Sequence, residues 1–296
     1  MAIPLPPGTR LPDRAVWLNG TLVRGADAML SVFDRGARDG GAILETLRCY
    51  DGEPFAWQSH LERLVLSAAE LGFPVPPGPS ALRDAVDQVL AAEGLRDAVV
   101  RITVTRGVAG GRPVRTGAWV EAESLGSRLW AGTRQKAADG GPIGARVILS
   151  RVPFVPGRLG RHKTTSRLAY DLAREEARAA GVDEALLVAP TGELLEGAAS
   201  NLFMVRPGGE LVTPPLTADV LPGVTRAIVL RLAAARGWVV EEQAIPWEAA
   251  RGADELFLTN SIQEILPVRE LSGHALPSSE RTRTLLADYR ALVAQR

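Results

Sequence analysis

A pair of two-residue turns near the N-terminus constrains the fold of this 296-residue chain most strongly. Residues 15–18 and 21–23 are strand-like and flank Asn19-Gly20. A second strand-like run, residues 42–50, ends at Asp51-Gly52. Asn-Gly and Asp-Gly favour the tight turns that join neighbouring antiparallel strands. The first part of the chain is therefore predicted to contain antiparallel β-structure.

Helical patterns follow these strands. Residues 59–72 carry leucine and alanine at helical spacing and end at Gly72, and residues 79–94 form a second amphipathic pattern with Ser80 as a possible cap. Together with a β-branched strand at 98–105, they predict a small N-terminal α+β domain over residues 1–124. Residues 125–142 show little periodicity, and we predict an interdomain linker or loop there.

The remainder, residues 143–296, is predicted to be a larger C-terminal domain. Predicted strands cover 145–152, 184–188, 201–205, 239–243 and 255–259, and predicted helices cover 165–180, 224–235 and 278–294. The helix at 165–180 carries Leu168, Leu172 and Ala173 at helical spacing.

Composition excludes several functions. Lys+Arg 34 balances Asp+Glu 34, so charge gives no argument for a nucleic-acid or membrane-surface partner. One cysteine and three scattered histidines argue against a metal site. No apolar run approaches the length of a membrane helix, and the N-terminal residues do not resemble a signal peptide, so we expect a cytoplasmic protein.

Lysine occurs only twice, at Lys136 and Lys163, in an arginine-rich chain. A guanidinium group does not lose its proton in proteins, so arginine cannot replace a lysine that forms a Schiff base. Chance survival of both lysines is the alternative explanation.

Five segments carry residues that together could bind a cofactor. Lys163 precedes a predicted helix, Glu196 lies where a turn feeds a strand, and Arg63 lies on a first-domain helix. Pro222-Gly223-Val224-Thr225 offers free backbone amides at a helix N-terminus, and Asn260-Ser261 offers a second turn with a hydroxyl. A reactive amine, a carboxylate and phosphate-binding groups are what pyridoxal 5′-phosphate requires.

The order of these segments resembles the class IV aminotransferases, the fold type IV pyridoxal phosphate enzymes. The matching blocks are His60 to Leu64, Lys163-Thr-Thr-Ser-Arg-Leu, Glu196 to Phe203, Leu221 to Thr225, and Phe257 through Glu264 to Val268. The earlier stretches Phe33 to Gly36 and Leu44 to Arg48 fit as well. The resemblance covers roughly residues 15 to 268.

This resemblance implies an α+β, two-domain fold with a β-barrel-like core in the C-terminal domain, the cofactor between the domains, and a homodimer. It implies that Lys163 is the catalytic Schiff-base lysine and that Glu196 faces the pyridine nitrogen. The implied cofactor-binding set is Arg63, Lys163, Glu196, Ser200, Asn201, Val224, Thr225, Asn260 and Ser261, with Val224, Thr225 and Asn260 acting through the main chain. The partners would be a small-molecule amino donor and a keto acid.

The sequence constrains the subgroup within this family less strongly than the family itself. Branched-chain members carry a tyrosine shortly after the lysine, where Arg167-Leu168 stands here, and this difference argues against that subgroup. D-amino-acid transaminases usually have an aromatic residue at the position of Leu44, so this leucine weakens the D-amino-acid interpretation without excluding it. The Lys163 block, Thr46 and the Arg106 to Arg112 loop resemble aminodeoxychorismate lyases.

Candidate substrate-binding residues are Leu44, Thr46, Arg106, Arg112 and Arg167. Arginines suit this role because they bind carboxylates through two hydrogen bonds, although a solvated loop is the alternative for Arg106, Arg112 and Arg115. Three hypotheses remain: an aminotransferase, an aminodeoxychorismate lyase that uses the same cofactor and lysine, and a non-catalytic phosphate binder. The lysine and glutamate together argue against the third.

Overall fold

The computed structural model of the chain describes residues 13–108 and 117–295. These residues form two compact units. Unit 1 contains the described residues up to Ser127 together with the short segment Thr164–Ser166. Unit 2 contains Arg128–Lys163 and the described residues from Arg167 onward.

Unit 1 is an antiparallel sheet with helices packed on it. Its elements are β1 (Ala15–Leu18), β2 (Thr21–Arg24), α1 (Arg35–Asp39), β3 (Ala42–Tyr50), β4 (Glu53–Pro54), α2 (Trp57–Glu70), α3 (Pro79–Glu93), β5 (Ala98–Thr105) and β6 (Ala118–Ser124). The strand order is β2-β1-β6-β5-β3-β4. Both predicted hairpins are confirmed, since Leu18 pairs with Thr21 across the first turn and Tyr50 with Glu53 across the second.

The core of unit 1 lies between the sheet and helices α2 and α3. Leu64 of α2 and Leu82 of α3 are completely buried and pack with the apolar side chains of β3, β5 and β6. Truncating such a leucine to alanine costs about 2–5 kcal/mol. Helix α3 begins at Pro79 after the N-cap residue Gly78, so the predicted Ser80 cap is wrong, whereas its end at the left-handed Gly94 is confirmed.

Unit 2 has more strands and a different topology. Its elements are α4 (Ala131–Arg134), β7 (Ala145–Leu149), α5 (Gly157–Gly160), α6 (Leu168–Ala179), β8 (Glu184–Val188), β9 (Glu193–Gly197), β10 (Asn201–Val205), β11 (Leu211–Thr213), α7 (Val224–Ala235), β12 (Val240–Glu242), β13 (Ile245–Pro246), α8 (Trp247–Arg251), β14 (Glu255–Asn260), β15 (Glu264–Leu271), β16 (His274–Ala275) and α9 (Glu280–Ala294).

Six of these strands close into a ring in the order β10-β14-β15-β7-β8-β9, because β9 pairs again with β10. The pairs β15–β7 and β7–β8 are parallel, and the remaining pairs of the ring are antiparallel. Two compact units, one of them built on a closed barrel-like sheet, confirm the α+β fold that the resemblance implied.

Residues 128–142, part of the segment predicted as a linker, belong to unit 2 and include helix α4. The amide of Gly132 donates to Asp183 Oδ1 at 3.0 Å, and the Thr133 hydroxyl donates to Gln263 Oε1 at 2.6 Å. No helix of the described residues is long and apolar enough to cross a membrane.

Candidate active site

Glu196 belongs to a row of polar residues that crosses three strands. It lies in β9 opposite Asn201 at the start of β10, and Asn201 lies opposite Thr259 of β14. All three residues are buried. The sequence placed Glu196 in a turn, but the turn begins after Gly197, and the strand pairing fixes Glu196 at one level of the ring.

Three neutral donors hold the Glu196 carboxylate. The Tyr170 hydroxyl donates to Oε1 at 3.1 Å, while Asn201 Nδ2 at 3.3 Å and the Leu221 amide at 3.1 Å donate to Oε2. Burial raises the pKa of Glu196 to about 7, even though the Leu221 and Tyr170 hydrogen bonds and the charges of Arg167 and Lys163 oppose this rise. A small change in its surroundings can therefore change its charge near neutral pH.

Tyr170 is a site residue that the sequence did not reveal. The helical spacing in α6 directed attention to Leu168 and Leu172, which are exposed, whereas Ala173 and Ala177 of this helix are buried. Tyr170 packs edge-on against Phe154 at 4.9 Å between ring centroids. A tyrosine seven positions after the candidate lysine was the available signal, but a helical tyrosine by itself does not indicate a carboxylate partner.

Lys163 lies between helices α5 and α6 and is half-buried. Helix α6 begins at Leu168, later than the predicted start at residue 165. The charge of Lys163 lowers the pKa of the Glu196 carboxyl. The next residues, Thr164–Ser166, belong to unit 1, where the Thr165 amide donates to the Ala42 carbonyl at 2.9 Å.

The N-terminus of α7 offers backbone donors. Gly223 is the N-cap residue and supplies no side-chain cap, so the helix begins with the amides of Val224 and Thr225 and without a competing side chain. A Cβ at position 223 would clash with Asn201 Oδ1. Glycine thus allows the helix start to approach the row that contains Glu196.

The turn after β14 is braced by the side chain of Asn260. Its Oδ1 accepts from the amides of Ile262 at 2.9 Å and Gln263 at 2.6 Å, and its Nδ2 donates to the Ala199 carbonyl at 3.0 Å. This side chain therefore shapes the turn that carries the half-buried Ser261, in addition to any role of its main chain.

Ser200 joins a second buried acid. Its hydroxyl donates to Glu184 Oε2 at 3.0 Å, and the Ala199 amide donates to the same oxygen at 2.9 Å. Burial raises the pKa of Glu184 against these hydrogen bonds. Glu184, absent from the sequence-based set, thereby fixes the turn between β9 and β10.

Arg63 belongs to unit 1 and is bound to Glu45. Arg63 Nε donates to Oε1 at 2.7 Å and an Nη donates to Oε2 at 2.6 Å, while His60 Nδ1 lies 2.7 Å from Oε2. Burial acts to raise the pKa of Glu45, but the charge and hydrogen bonds of Arg63, with those of His60, lower it to about 2. The guanidinium is therefore held in one orientation by a permanent carboxylate.

The remaining substrate candidates of unit 1 have different surroundings. Leu44 is buried, and Thr46 is half-buried on β3 opposite Arg101 of β5. Arg106 donates to the Leu71 carbonyl. Arg112, like Arg115, lies outside the described residues.

Arg48 and Arg101 are half-buried arginines near Thr46 that the sequence reasoning missed. Arg48 lies two residues after Thr46 and therefore shares its face of the strand. The available signal was this alternation along β3, which places Thr46 and Arg48 on one side.

In unit 2 the structure thus brings predicted site residues together, since Glu196 pairs with Asn201 across two strands and accepts a hydrogen bond from it. Arg167, the last substrate candidate, donates to the Ala198 carbonyl at 2.7 Å and lies over the Tyr170 ring at 4.7 Å. Arg63, Leu44, Thr46 and Arg106 belong to unit 1.

The chain belongs to the family described as amino-transferase class IV, which matches residues 42–271. It is 31% identical over 268 residues to a branched-chain-amino-acid aminotransferase of Escherichia coli K12, covering 87% of this chain and 85% of the relative.

Two solved structures are also similar. The branched-chain aminotransferase of Thermoproteus uzoniensis with norvaline shares 28% identity at a TM-score of 0.82, covering 95% of this chain and 94% of the other. A branched-chain amino acid aminotransferase of T.th. complexed with N-(5′-phosphopyridoxyl)-L-glutamate shares 27% identity at a TM-score of 0.82, covering 97% of this chain and 96% of the other. The chain is therefore a transaminase that depends on pyridoxal 5′-phosphate.

Proposed function

We propose that this enzyme moves the amino group of an amino acid to a keto acid, with Lys163 as the lysine that carries the cofactor and Glu196 as the partner of its pyridine nitrogen. The buried Glu196 carboxylate, with its pKa raised to about 7 and its neutral donors, is the observation that carries this proposal. A buried carboxylate of this kind gains most from a cationic partner, and a protonated pyridine is one.

The surrounding groups fit pyridoxal 5′-phosphate. The amides of Val224 and Thr225 begin a helix without a side-chain cap, which suits a phosphate. Within the part of the chain that the structure describes, the buried Thr259 hydroxyl has no hydrogen-bond partner. An unsatisfied buried hydroxyl beside the Asn260-Ser261 turn supports a polar ligand there. We assign Ser261 to this phosphate, and Ser200 and Asn201 to the support of this site. Arg63, in unit 1, stays a proposed phosphate ligand.

The residues of the chain would act in sequence. When bound, the cofactor supplies a ring that accepts electrons from the substrate α-carbon. Lys163 Nζ would take the proton from that carbon and deliver it to C4′ of the cofactor. Glu196 holds a proton at the ring nitrogen, and the Leu221 amide and Asn201 keep its Oε2 in place.

Thr46, Arg48 and Arg101 are the proposed contacts for the substrate carboxylate in unit 1. Their shared position on β3 and β5 supports this assignment, because guanidinium groups bind carboxylates well. Arg112 and Leu44 remain candidates, and the hydrogen bond of Arg106 to the Leu71 carbonyl indicates a structural role for that residue.

The enzyme is proposed to be a homodimer. Large apolar side chains are exposed in both units, among them Val32 at 75% and Phe33 at 65% in unit 1 and Leu168 at 73% in unit 2. Exposed apolar groups of this kind favour association. Light scattering during size-exclusion chromatography tests this, and a monomer at micromolar concentration would contradict it.

Borohydride trapping tests the lysine. Reduction of the holoenzyme followed by peptide mass spectrometry should find the cofactor on Lys163, and Lys163→Ala should reduce transamination by about 100- to 10,000-fold. Lys136→Ala is the matched control, because Lys136 is the other lysine and is exposed. A cofactor trapped on Lys136 would contradict the assignment.

A single-turnover assay tests the reaction. The names of the relatives make L-leucine, L-valine and L-glutamate the first donors to try, with D-amino acids and (R)-1-phenylethylamine as further arms. We expect keto acid release from at least one amino acid. Pyruvate release from aminodeoxychorismate, without a keto acid or ketone from any of the tested donors, would instead support the lyase. Glu196→Gln should slow turnover by about 100-fold, with Glu193→Gln on the same strand as control.

A further inference from the structure

The two oxygens of Glu196 are held by different parts of unit 2. Oε2 accepts from Asn201 and from the Leu221 amide, and Asn201 Nδ2 also donates to the Leu221 carbonyl at 2.9 Å. These groups belong to a strand and to the segment that leads into α7. Oε1 accepts from Tyr170, a side chain on helix α6. The orientation of Glu196 therefore depends on how firmly Tyr170 is held.

Arg167 and Phe154 hold the Tyr170 ring from two directions. The guanidinium of Arg167 lies 4.7 Å from the ring centroid, and the Phe154 ring meets it nearly edge-on at 74°. Arg167 and Tyr170 are three residues apart at the start of α6, so their side chains share one face of the helix. Arg167 in turn donates to the Ala198 carbonyl at 2.7 Å. Ala198 comes two residues after Glu196, so the contacts lead from Glu196 through Tyr170 and Arg167 back to the Glu196 segment.

Tyr170 acts on the ionised form of Glu196 as a hydrogen-bond donor. Burial raises the pKa of its hydroxyl well above the ordinary value, and the charge of Glu196 raises it further. The hydroxyl thus keeps its proton at any working pH and stabilises the ionised carboxylate. Among the described residues, the charged groups that act on Glu196 are Arg167 and Lys163, and both favour the ionised form.

We propose that Arg167 and Tyr170 are a pair of positioning residues that fix Oε1 of Glu196 and make this carboxylate a weaker base. The inference rests on the proposed function, in which Glu196 is the partner of the pyridine nitrogen. A weaker base at position 196 leaves the shared proton on the ring nitrogen. Arg167 then serves the cofactor through Tyr170 and does not bind substrate directly.

The ¹⁵N chemical shift of the pyridine nitrogen tests this in holoenzyme prepared with ¹⁵N-labelled pyridoxal 5′-phosphate. The shift separates a protonated ring nitrogen from a neutral one and does not require turnover. In the wild type we expect the protonated signal. In Tyr170→Phe the signal should move toward the neutral position, because loss of a hydrogen bond to a charged group raises the pKa of Glu196 by about one unit.

Two variants calibrate the measurement. Glu196→Gln should give the full neutral signal, since glutamine cannot balance a charged ring. Tyr289→Phe is the matched control, because Tyr289 is a buried tyrosine of α9 in the same unit, and it should keep the wild-type signal. If Glu196→Gln leaves the shift unchanged, the role of Glu196 in the proposed function is wrong. If Glu196→Gln moves the shift and Tyr170→Phe does not, only the positioning pair is wrong.

Arg167→Lys separates geometry from charge. Lysine keeps the positive charge but loses the flat group that covers the Tyr170 ring and reaches Ala198. We expect a smaller move in the same direction as in Tyr170→Phe, and a wild-type signal would remove Arg167 from the pair. This variant also keeps the test open if Tyr170→Phe fails to fold, which its thermal unfolding would reveal.

Discussion

Glu45 of unit 1 and Glu196 of unit 2 are both buried glutamates, yet their pKa values lie on opposite sides of the ordinary one. Burial is the largest influence on each and acts to raise both. The pKa of Glu45 is nevertheless lowered to about 2, whereas that of Glu196 is raised to about 7. The difference lies in the partners: a guanidinium and an imidazole around Glu45, and a hydroxyl and two amides around Glu196.

This contrast shows how the same side chain serves two purposes. The neutral donors around Glu196 offset only part of the effect of its burial, whereas Arg63 and His60 more than offset the effect of burial on the pKa of Glu45. Glu45 is therefore a permanent anion that fixes Arg63. Glu196 is close to its point of ionisation, so a cation that arrives with a ligand can determine its charge.

The largest expected effect comes from breaking the pair in unit 1. Glu45→Gln should lower the free energy of unfolding by about 3–5 kcal/mol, because Arg63 would keep its buried charge without a counter-ion. Urea denaturation measures this loss. Glu53→Gln is the control, since Glu53 pairs with Arg83 at the surface and its loss should cost less than about 1 kcal/mol. Equal losses in the two variants would show that Glu45 is not a charged buried group.

The second effect is a pH dependence of opposite sign for the two acids. Because the pKa of Glu196 is raised from 4.5 to about 7, folded Glu196 holds its proton more tightly than unfolded Glu196 does. Its contribution to the free energy of unfolding is therefore fully present below about pH 4.5. This contribution is lost as the pH rises through about 7, a change of about 3 kcal/mol. The lowered pKa of Glu45 means that its contribution is present above about pH 4.5 and is lost as the pH falls toward 2.

Cofactor-free wild type and Glu196→Gln should therefore differ in slope from about pH 5 to about pH 8. The wild type should lose stability relative to the variant as the pH rises. Glu193→Gln should keep the wild-type slope. Parallel curves for wild type and Glu196→Gln would contradict the raised pKa of Glu196.

The smallest effect concerns the second partner of Glu45. His60→Gln removes one hydrogen bond and leaves the Arg63 pair, so we expect a loss of about 1 kcal/mol in unfolding free energy. Urea denaturation of the single variants and of His60→Gln/Glu45→Gln measures the coupling. Strict additivity would show that His60 does not contribute to the charge of Glu45.

Local features of both units were predictable from the sequence, because they depend on neighbouring residues. The Asn19-Gly20 and Asp51-Gly52 hairpins and the end of α3 at Gly94 follow from turn and cap chemistry. The importance of Glu196 came from the resemblance of a whole block. Its partner Tyr170 could not be predicted, since that contact joins a helix and a strand 26 residues apart.

Closure of the ring also could not be predicted from local sequence patterns. Nothing in residues 145–149 reveals that β7 pairs in parallel with both β8 and β15, because such pairing is decided by packing across the whole unit. Glu45 was missed for a related reason. A charged residue within an apolar strand has no visible partner until Arg63 and His60 of α2 are placed beside it.

The closed ring also has a consequence for how this enzyme can be altered. In an open sheet an edge strand can slip by one residue, but in a ring each strand is fixed from both sides, so a slip would have to pass through all six strands. The row Glu196, Asn201 and Thr259 is therefore difficult to shift by gradual mutation. Variant libraries that seek new amino donors should leave these strands intact and place their diversity on the proposed substrate contacts Thr46, Arg48 and Arg101 of unit 1.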